Sequence, residues 1–505
     1  MLEEREVLVV KLNETYGRVI APDWSLMEGL TKKFAIWVEN ARWDKRVKAG
    51  TWDGKIHFVR TDGVFQLGLL QDVLKYLKAQ EDEYVISVDP KLKNPAKSKS
   101  EFKEEFVNIT SETLNCPFDP RPHQVRGAVK AAYYKRAICE HCTSSGKSLS
   151  IAMLINYLLQ QDRPHKILVL VPRKDLVEQL SENFIEYGIP GDMIGKYVGY
   201  QKDEEEEIIV ATWQSMVNNP DLIKKFTAII CDECHGLKAK VVKSVAEAAI
   251  NAEYRLGFTG TLPDALSEKM QVISTLGPVV DLVEHKDLVK IDQIAKIKIS
   301  VPYLQYGKEE KKKLREETKA LQQAALATGK PKETVAYNHE RDFIYKHEKR
   351  NKFIANVAKK SIQGDKNTLI LLNKHDHVET VVSALKEKGI DPHVVTGKTK
   401  DMEERNNVRK TLEDSGGNVL VATSGVYSTG ISIKRLHTVV FADAGKSKIT
   451  VLQSVGRGLR MHSTKSKLHL IDIADALTYG DKHLDQRLEY YARNEFEVDV
   501  KEVIL

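Results

Sequence analysis

The chain has 505 residues, which at about 150 residues per domain predicts roughly three domains. Hydrophobic residues make up 42% of the sequence and charged residues 29%, which excludes an intrinsically disordered chain. No run of eighteen apolar residues occurs, so we expect no membrane-spanning segment. Glu3 and Glu4 stand where a signal peptide needs basic residues, which predicts a cytoplasmic protein. The net charge of +6 permits a nucleic acid as partner but does not require one.

The first segment, residues 1–105, alternates short strands with amphipathic helices and predicts a small α+β domain. The pattern LMEGLTKKFAIWV (26–38) favours a helix, and the flanking patterns VLVVKL and RVIA favour strands. The Asp53-Gly54 pair predicts a hairpin within TWDGKIHFV. The polar stretch KLKNPAKSKSEFKEE (91–105) marks the expected domain boundary.

Two later segments, residues 106–295 and 349–480, alternate apolar strands with helical patterns. Continuous apolar runs such as KILVLV and TAIICDE are typical of parallel strands buried on both faces. We therefore expect two tandem α/β domains with parallel sheets. Residues 296–348 between them are predicted to form a helical linker or insertion, and residues 481–505 a C-terminal helix followed by a strand.

The hexapeptide TSSGKS (143–148) follows the apolar strand RAICEH and precedes a helical pattern. Backbone N–H groups at such a helix start favour a polyphosphate; Lys147 can reach the β and γ phosphates and Ser148 can ligate Mg2+. The strict phosphate-loop pattern has glycine first, where this chain has His141. The alternative is an ordinary helix start capped by Ser144 or Ser145.

The tetrapeptide DECH (232–235) ends the strand TAIICDE, and the carboxyl ends of strands are where α/β sheets bind ligands. Asp232 is predicted to hold Mg2+, and Glu233 to orient and deprotonate an attacking water. The alternative, a solvated acidic turn, is weakened by the TSSGKS motif upstream.

Two C-x2-C pairs, Cys139/Cys142 and Cys231/Cys234, are typical of a four-thiolate zinc site when taken alone. We reject zinc because both pairs lie within motifs for nucleotide binding, where a metal would lock the element that cradles phosphate. Buried, reduced thiols are expected instead.

Four motifs, TSSGKS, DECH, TGT at 259–261 and QSVGRGLR at 453–460, occur in the order used by superfamily 2 helicases and translocases. The chain resembles this superfamily, which implies two RecA-like P-loop domains with ATP between them. Four further segments are similar to motifs of the same superfamily: RPHQ (121–124), VPRKDLVEQ (171–179), TWQS (212–215) and VATSGVYSTGIS (421–432).

The resemblance implies a role for each matching residue. The residues expected to bind ATP are Arg121, Gln124, Thr143, Ser144, Ser145, Gly146, Lys147, Ser148 and Gly430. Among them, Gln124 is expected to form hydrogen bonds with the edge of the adenine base. Catalysis falls to Lys147, Asp232, Glu233, Gln453, Arg457 and Arg460. The residues expected to contact nucleic acid are Pro172, Arg173, Thr212, Trp213, Gln214, Thr396, Gly397, Thr423 and Ser424. The residues expected to couple ATP hydrolysis to nucleic-acid binding are His235, Thr259, Gly260 and Thr261.

Several of these residues also have an ordinary structural interpretation. Gln124 could be a helix-surface residue, Trp213 a core residue and Ser424 a turn residue. Ser432 stands where many relatives carry Asp, which leaves the ribose contact of that motif open.

Arg457 and Arg460 are three residues apart, a spacing that puts both on one helix face. The resemblance implies that they reach the γ-phosphoryl group when the two domains close, where an arginine contributes roughly 10³–10⁵ in rate. The alternative is a pair of surface arginines that cap a helix.

Within the superfamily, the bacteriophage UvsW-type helicases match most of the chain, notably TWDGKIHF (51–58), KRNKFIA (349–355) and GKSKITVLQSVGRGLR (445–460). This resemblance implies an ATP-dependent DNA helicase in the host cytoplasm. It would remodel Holliday junctions, forks, D-loops and, as a further case, R-loops in recombination, repair and replication. RNA–DNA hybrids are thus a candidate substrate beside branched or duplex DNA.

The N-terminal segment is basic and aromatic over residues 43–60, which include Trp43, Trp52, Lys45, Arg46, Lys48, Lys55, His57 and Arg60. Cations can hold phosphates and rings can stack bases, so we predict that Lys45, Lys55 and Arg60 contact duplex arms. The ordinary interpretation of the two tryptophans is burial in the core.

Two other functions remain open on the sequence. One is an RNA-directed helicase of the same superfamily, because the motifs do not distinguish the sugar. The other is an annealing or binding factor that does not need ATP hydrolysis. The motifs do not indicate a protein partner.

Overall fold

The computed structural model describes residues 5–80, 83–93, 97–163, 165–199, 201–238, 240–291, 296–327, 331–397, 399, 402–424, 433–443 and 467–505. The chain forms two compact units, residues 1–283 and 284–505. The finer five-part division expected from the sequence stays a prediction. Among the described residues, no helix is both long and apolar enough to cross a membrane.

The N-terminal part of the first unit contains a four-stranded sheet of order β5-β2-β1-β6. Val7 and Val9 of β1 are buried while their neighbours are less so, the alternation expected of a strand with one face on a core. The elements are β1 (Glu6–Lys11), β2 (Tyr16–Ile20), α1 (Trp24–Lys33), β3 (Ala35–Trp37), α2 (Lys45–Lys48), β4 (Lys55–His57), β5 (Val64–Gln66), α3 (Leu70–Lys78) and β6 (Val85–Val88).

The structure corrects two predictions in this region. The helix predicted over 26–38 ends at Lys33, and Ala35–Trp37 form strand β3 instead. The Asp53-Gly54 pair does not close a hairpin, because β4 pairs antiparallel with the distant β3. Gly54 has a φ of +78° and lies against the Trp37 ring, so its conformational freedom serves a packing contact at the start of β4.

The rest of the first unit is an eight-stranded sheet of order β10-β9-β11-β8-β12-β13-β7-β14, parallel except for β10. Strands β8, β11 and β13 are buried along their whole length, as their apolar runs predict. The strands are β7 (Arg136–His141), β8 (Ile167–Val171), β9 (Ile194–Val198), β10 (Gln201–Lys202), β11 (Ile208–Thr212), β12 (Ala228–Asp232), β13 (Tyr254–Thr259) and β14 (Val279–Val283). The helices are α4 (Lys99–Thr113), α5 (Pro122–Tyr134), α6 (Lys147–Leu159), α7 (Lys174–Glu186), α8 (Trp213–Met216), α9 (Pro220–Ile223), α10 (Lys240–Ala248) and α11 (Leu266–Leu276).

The second unit is built on a parallel sheet of order β17-β18-β16-β19-β20-β15-β21, with β22 paired to β15. Its strands are β15 (Lys296–Gln305), β16 (Thr368–Leu372), β17 (His393–Val395), β18 (Val419–Thr423), β19 (Thr438–Phe441), β20 (Lys467–Asp472), β21 (Ala474–Asp475) and β22 (Glu497–Ile504). Its helices are α12 (His285–Lys290), α13 (Lys308–Ala327), α14 (Lys332–Lys346), α15 (Glu348–Ser361), α16 (His375–Lys386), α17 (Met402–Asp414) and α18 (Thr478–Arg493).

Residues 296–305, which the sequence placed in a helical linker, form β15. Ile297, Ile299 and Val301 are buried at alternate positions, so the period of two in KIKISV was the signal for a strand. The predicted C-terminal helix and strand are α18 and β22, and β22 pairs in parallel with β15 from Lys298 to Gln305.

Candidate functional site

The loop between β7 and α6 has the shape of a phosphate cradle. Ser144 has a φ of +70° and Gly146 a φ of +83°, which turn the chain sharply before α6 begins at Lys147. The N–H groups of this helix start are available to an anion. The hydroxyl Oγ of Ser145 is buried and, within the described residues, has no hydrogen-bond partner. The loop therefore fits a polyphosphate, which would supply acceptors to these donors.

Helix α5 holds this loop from one side. The Gln124 side-chain amide donates to Ser145 O at 3.0 Å and Gly146 O at 3.1 Å, and its carbonyl accepts from the Arg121 N–H at 2.7 Å. His123 Nε2 lies 2.8 Å from Ser145 O. Gln124 thus clasps the loop backbone, and the adenine contact predicted for it requires an exchange of these partners. His123 lies within the RPHQ segment, but the resemblance implied roles only for Arg121 and Gln124.

His141, in the place of the first phosphate-loop glycine, is a buried anchor. Its Nε2 lies 2.9 Å from Asp281 Oδ2, and Arg126 and Lys130 each contact Asp281 Oδ1 at 2.8 Å. Burial alone would raise the pKa of Asp281, but hydrogen bonds from His141, Arg126 and Lys130 hold it well below its usual range. An aspartate inside the apolar strand VVDLV was the one sequence signal for this cluster.

The acidic pair lies beside the loop, as the motif order predicts. Lys147 Nζ is 3.7 Å from Glu233 Oε1 and donates to His141 O at 3.3 Å. The Glu233 N–H donates to Asp232 Oδ1 at 3.0 Å, and Glu233 has a φ of +51°, a strained conformation of the kind found at functional sites. Burial and the adjacent Glu233 charge raise the pKa of Asp232 to about 6. A divalent cation at this carboxylate would favour its ionised form.

The predicted Mg2+ ligands are Ser148 and Asp232, and their oxygen donors suit a hard cation. In the structure, Ser148 Oγ lies 3.2 Å from the Tyr187 hydroxyl. Tyr187 follows helix α7 and was not singled out by the motifs. The Ser148 and Asp232 roles stay predictions.

The residues predicted to couple ATP hydrolysis to nucleic-acid binding lie close together near the end of strand β13. His235 Nδ1 lies 3.0 Å from Thr259 Oγ1 and 3.4 Å from Glu233 Oε2. Thr259 Oγ1 donates to Thr261 O, so one hydroxyl joins the DECH and TGT segments. A Cβ on Gly260 would lie 3.5 Å from Thr143 Oγ1, which places this turn beside the phosphate loop.

Four of the predicted nucleic-acid residues of the first unit, Pro172, Arg173, Thr212 and Gln214, line a groove of about 780 Å³. The groove is also lined by five residues that lie outside the motifs: Tyr197, Gly199, Lys202, Asn218 and Asn219. Trp213 is a correction, because its side chain is 2% exposed and belongs to the core below the groove. Thr212 is also buried, and its hydroxyl caps α8 by accepting from the Ser215 N–H.

In the second unit, Thr396 follows β17 and Ser424 follows β18, which ends at Thr423. The strands β16, β17 and β18 are parallel neighbours, so these residues lie at one sheet edge. Thr396, Thr423 and Ser424 are buried while Gly397 is exposed, and Ser424 Oγ donates to Leu372 O at 3.2 Å. Gly430, Ser432, Gln453, Arg457 and Arg460 lie outside the described residues.

The N-terminal cations are at the surface. Lys45 and Arg60 are exposed, with Arg60 paired to Asp62 at 2.9 Å, and Lys55 is half-buried. The interpretation of the two tryptophans as core residues is wrong for Trp43, which is 44% exposed. Trp52 is half-buried. The Trp43 ring therefore has more exposed surface for contact with a ligand than the Trp52 ring has.

All five cysteines are free thiols, and Cys139, Cys142, Cys231 and Cys234 are buried. Cys139 and Cys231 lie within strands β7 and β12, where burial raises the pKa of Cys231 to about 12. Protonated thiols in the middle of strands are core residues.

Three family models match the chain: "DNA helicase UvsW, N-terminal" over residues 11–89, "Type III restriction enzyme, res subunit" over 117–264 and "Helicase conserved C-terminal domain" over 348–462. The ATP-dependent DNA helicase UvsW of Enterobacteria phage T4 is 29% identical over 497 residues, which cover 94% of both chains. The crystal structure of T4 UvsW matches 99% of both chains at 27% identity and a TM-score of 0.50.

A fragment of a type I restriction HsdR subunit from Vibrio vulnificus matches 86% of this chain and 74% of its own at 17% identity, with a TM-score of 0.56. This likeness concerns the fold alone. Together with the two parallel sheets, the matches confirm the predicted fold class: two tandem α/β domains of the RecA-like type preceded by an α+β region.

Proposed function

Because the chain belongs to superfamily 2, the ATP-dependent helicases, and is of the UvsW type, we propose that it uses ATP to remodel branched DNA. The observation that carries this proposal is the match of residues 11–89 to the N-terminal region of UvsW. The two helicase domains are shared with many helicases and do not specify a substrate, whereas the model that matches residues 11–89 is described as part of a DNA helicase. The substrates would be Holliday junctions, forks, D-loops and R-loops in recombination, repair and replication, in the cytoplasm of a phage-infected cell.

Different residues of the first unit would perform different parts of ATP hydrolysis. The α6 helix start and Lys147 would bind the phosphates, and Ser148 and Asp232 would hold a Mg2+ ion, which neutralises phosphate charge when bound. Glu233, held near Lys147, orients the attacking water and accepts its proton. Lys147 exchanges Glu233 for phosphate when the nucleotide arrives, which frees the carboxylate for this task.

Arg457, Arg460 and Gln453 are proposed to act on the γ-phosphoryl group, and Gly430 to lie at the nucleotide, as the superfamily resemblance implies. Alanine at both arginines is then expected to leave ATP binding intact and lower hydrolysis by roughly 10³-fold or more. Normal hydrolysis by that double variant would overturn this assignment.

The exposed N-terminal cations are proposed to hold duplex arms through their phosphates. Lys45→Glu with Arg60→Glu should weaken junction binding and reduce its salt dependence by about one ion per lost contact. Lys78→Glu, at an exposed lysine of α3, is the matched control. Deleting residues 1–100 is a poor test, because Arg255 is fully buried and donates to Thr15 Oγ1 at 3.3 Å, so the truncated chain would lose a core contact.

The decisive variant for the function is Glu233→Gln, compared with the wild-type protein on a synthetic Holliday junction and on structured RNA. The proposal expects junction-stimulated ATP hydrolysis and branch migration in the wild type, and loss of both with retained ATP binding in the variant. Branch remodelling that survives Glu233→Gln would identify a binding or annealing factor. Stimulation by RNA but not by the junction would identify an RNA-directed helicase.

A further inference from the structure

Four of the five tryptophans of the chain lie within residues 24–52. Trp37 is 56% exposed and Trp43 is 44% exposed. A tryptophan side chain is the largest apolar group a protein can bury, so leaving two of them in water on one small module needs a reason beyond folding.

The module is the β3–β4 pair with the residues between its strands, 35–57. Trp37 is directly opposite Lys55 in the antiparallel register. The Trp37 ring lies against Gly54, where an added Cβ would come within 2.4 Å of a ring carbon. Ala41, at the start of the short 3-10 turn that carries Trp43, contacts the same glycine position. The lack of a side chain at Gly54 therefore leaves room for the Trp37 ring, and the turn that carries Trp43 begins beside the same glycine.

Cations stand over both exposed rings. The Arg42 guanidinium is 5.1 Å and the Lys48 ammonium 5.4 Å from the centre of the Trp43 ring, and the Lys55 ammonium is 5.6 Å from that of Trp37. We call Trp37 and Trp43 with Arg42, Lys48 and Lys55 the tryptophan platform.

The acidic side chains of the module form no ion pair with these cations. Asp44 pairs with Arg46 at 2.9 Å, and Asp53 lies 2.8 Å from His57. Within the described part of the chain, Arg42, Lys48 and Lys55 form no ion pair. Because residues 35–57 contain five Lys and Arg residues against three Asp and Glu residues, the platform presents exposed indole rings together with net positive charge.

Trp52 has a different part in the module. Its Nε1 donates to Lys55 O at 2.9 Å, and its ring is half-buried below the Arg46 guanidinium at 4.6 Å. These contacts hold the strand β4 in place, which a two-stranded sheet needs because it is marginally stable alone. Trp52 is therefore structural and is not part of the platform.

We propose that the tryptophan platform binds unpaired nucleobases, with the rings of Trp37 and Trp43 stacking on bases and the three cations holding the adjoining phosphates. The occupant is an unpaired stretch of a DNA strand, because bases in a duplex already stack on one another and offer no free face. This inference rests on the proposed function and deepens it: the N-terminal domain would read the unpaired point of a branch as well as its arms.

The test measures binding of the full chain, without ATP, to three DNAs that carry the same number of phosphates. These are a duplex with a bulge of unpaired thymines, the same duplex with abasic sites in the bulge, and a duplex without a bulge that is lengthened to match their charge. The variants are Trp37→Leu and Trp43→Leu. The matched control is Trp24→Leu, because Trp24 is 65% exposed at the start of α1 and no cation lies over its ring among the described residues.

The wild type should prefer the thymine bulge over both other DNAs by about tenfold, the range expected for stacking of a base on an aromatic ring. Each platform variant should lose about fivefold or more on the thymine bulge and little on the duplex or the abasic bulge. Equal losses on all three DNAs, no loss on the bulge, or the same loss in Trp24→Leu would overturn the proposal.

Trp37→Leu also removes a packing contact with Gly54, so Trp37→Phe keeps the measurement interpretable if that variant unfolds. Phenylalanine retains an aromatic face, and bulge preference should be largely rescued. Failure of the proposed function is seen separately in the wild type, as absence of junction-stimulated ATP hydrolysis. Such a protein could still bind the bulge through the platform.

Discussion

His235 Nδ1 lies 3.0 Å from Thr259 Oγ1, and this hydroxyl in turn donates to Thr261 O. The segment that follows the acidic pair is thus hydrogen-bonded to the last residue of the neighbouring strand β13, and that residue is hydrogen-bonded to the turn after it. Since His235 also lies 3.4 Å from Glu233, a change at the phosphates has a direct route to that turn.

Thr259→Val is expected to break this route, because valine keeps the volume of threonine but has no hydroxyl. Stimulation of ATP hydrolysis by DNA should fall at least about fivefold, the scale of a coupling free energy of 1 kcal/mol or more. A steady-state ATPase assay with and without a DNA junction measures it. Thr275→Val is the control, since that buried hydroxyl donates within its own helix to Gln271 O; equal loss in both variants would contradict the prediction.

Lys147→Met should weaken nucleotide binding at least about tenfold, because it removes the ammonium that the loop directs towards the phosphates. This ammonium contacts His141 O and Glu233 Oε1, and the TSSGKS sequence contains no second cation that could replace it. Equilibrium titration with a fluorescent ATP analogue gives the affinity. Lys225→Met, at an exposed lysine of the same unit, should bind as the wild type does.

Arg255→Met should destabilise the first unit by about 3–5 kcal/mol, the scale seen when one partner of a buried polar network is removed. Its guanidinium donates to Thr15 Oγ1, Ala249 O, Ala246 O and Thr275 O, and methionine would remove all four of these buried hydrogen bonds. Burial lowers the pKa of Arg255 to about 9, which reflects how fully the network must compensate the charge. Urea unfolding measures the loss.

The matched control for that variant is Arg163→Met, since the Arg163 side chain is exposed and pairs with Glu253 at only 3.7 Å. It should change the unfolding free energy by less than about 1 kcal/mol. Comparable losses at both arginines would show that the buried network does not join the N-terminal sheet to the large sheet.

His377→Gln should make the second unit less sensitive to acid. Burial lowers the pKa of His377 to about 2, so the folded state keeps the ring neutral while the unfolded state takes up a proton below pH 6.5. Stability from this residue is therefore present above pH 6.5 and is lost as the pH falls towards the folded pKa, by up to about 1.4 kcal/mol per pH unit.

Glutamine does not titrate and can still donate to Asn351 Oδ1, which lies 3.1 Å from His377 Nε2. Thermal unfolding between pH 7 and about pH 4 should give a shallower loss in the variant than in the wild type. Parallel profiles would contradict the prediction. Burial also lowers the pKa of His469 in the same unit, so the variant keeps part of the slope.

Local pattern predicted much of the fold, because strand and helix periods are properties of neighbouring residues. The apolar runs of β8, β11, β12, β16 and β18 and the motif residues at strand ends could be located from the sequence. The predicted secondary structure was wrong where one segment carries both a helical pattern and a strand pattern. FAIWV continues a helical pattern from α1 but forms β3, since pairing with β4 some twenty residues later decides its conformation.

The site shows the same division. The nearness of Lys147 to Glu233 follows from two motifs at the carboxyl edge of one parallel sheet. The contact of His141 with Asp281 joins residues 140 positions apart, and no local period encodes it. Burial of Trp213 and exposure of Trp43 likewise depend on what the folded chain places above each ring.

The amino-acid sequence by itself determined the order of the motifs, the alternation of strands and helices and the family, since these are written in short-range patterns. Only the tertiary structure decided that β15 and β22 belong to the second sheet, that Gln124 holds the phosphate loop by hydrogen bonds and that Trp37 and Trp43 are exposed to water. The physical reason is that burial and hydrogen-bond partners are set by chain segments distant in sequence, which compete for the same contacts only once the chain has folded.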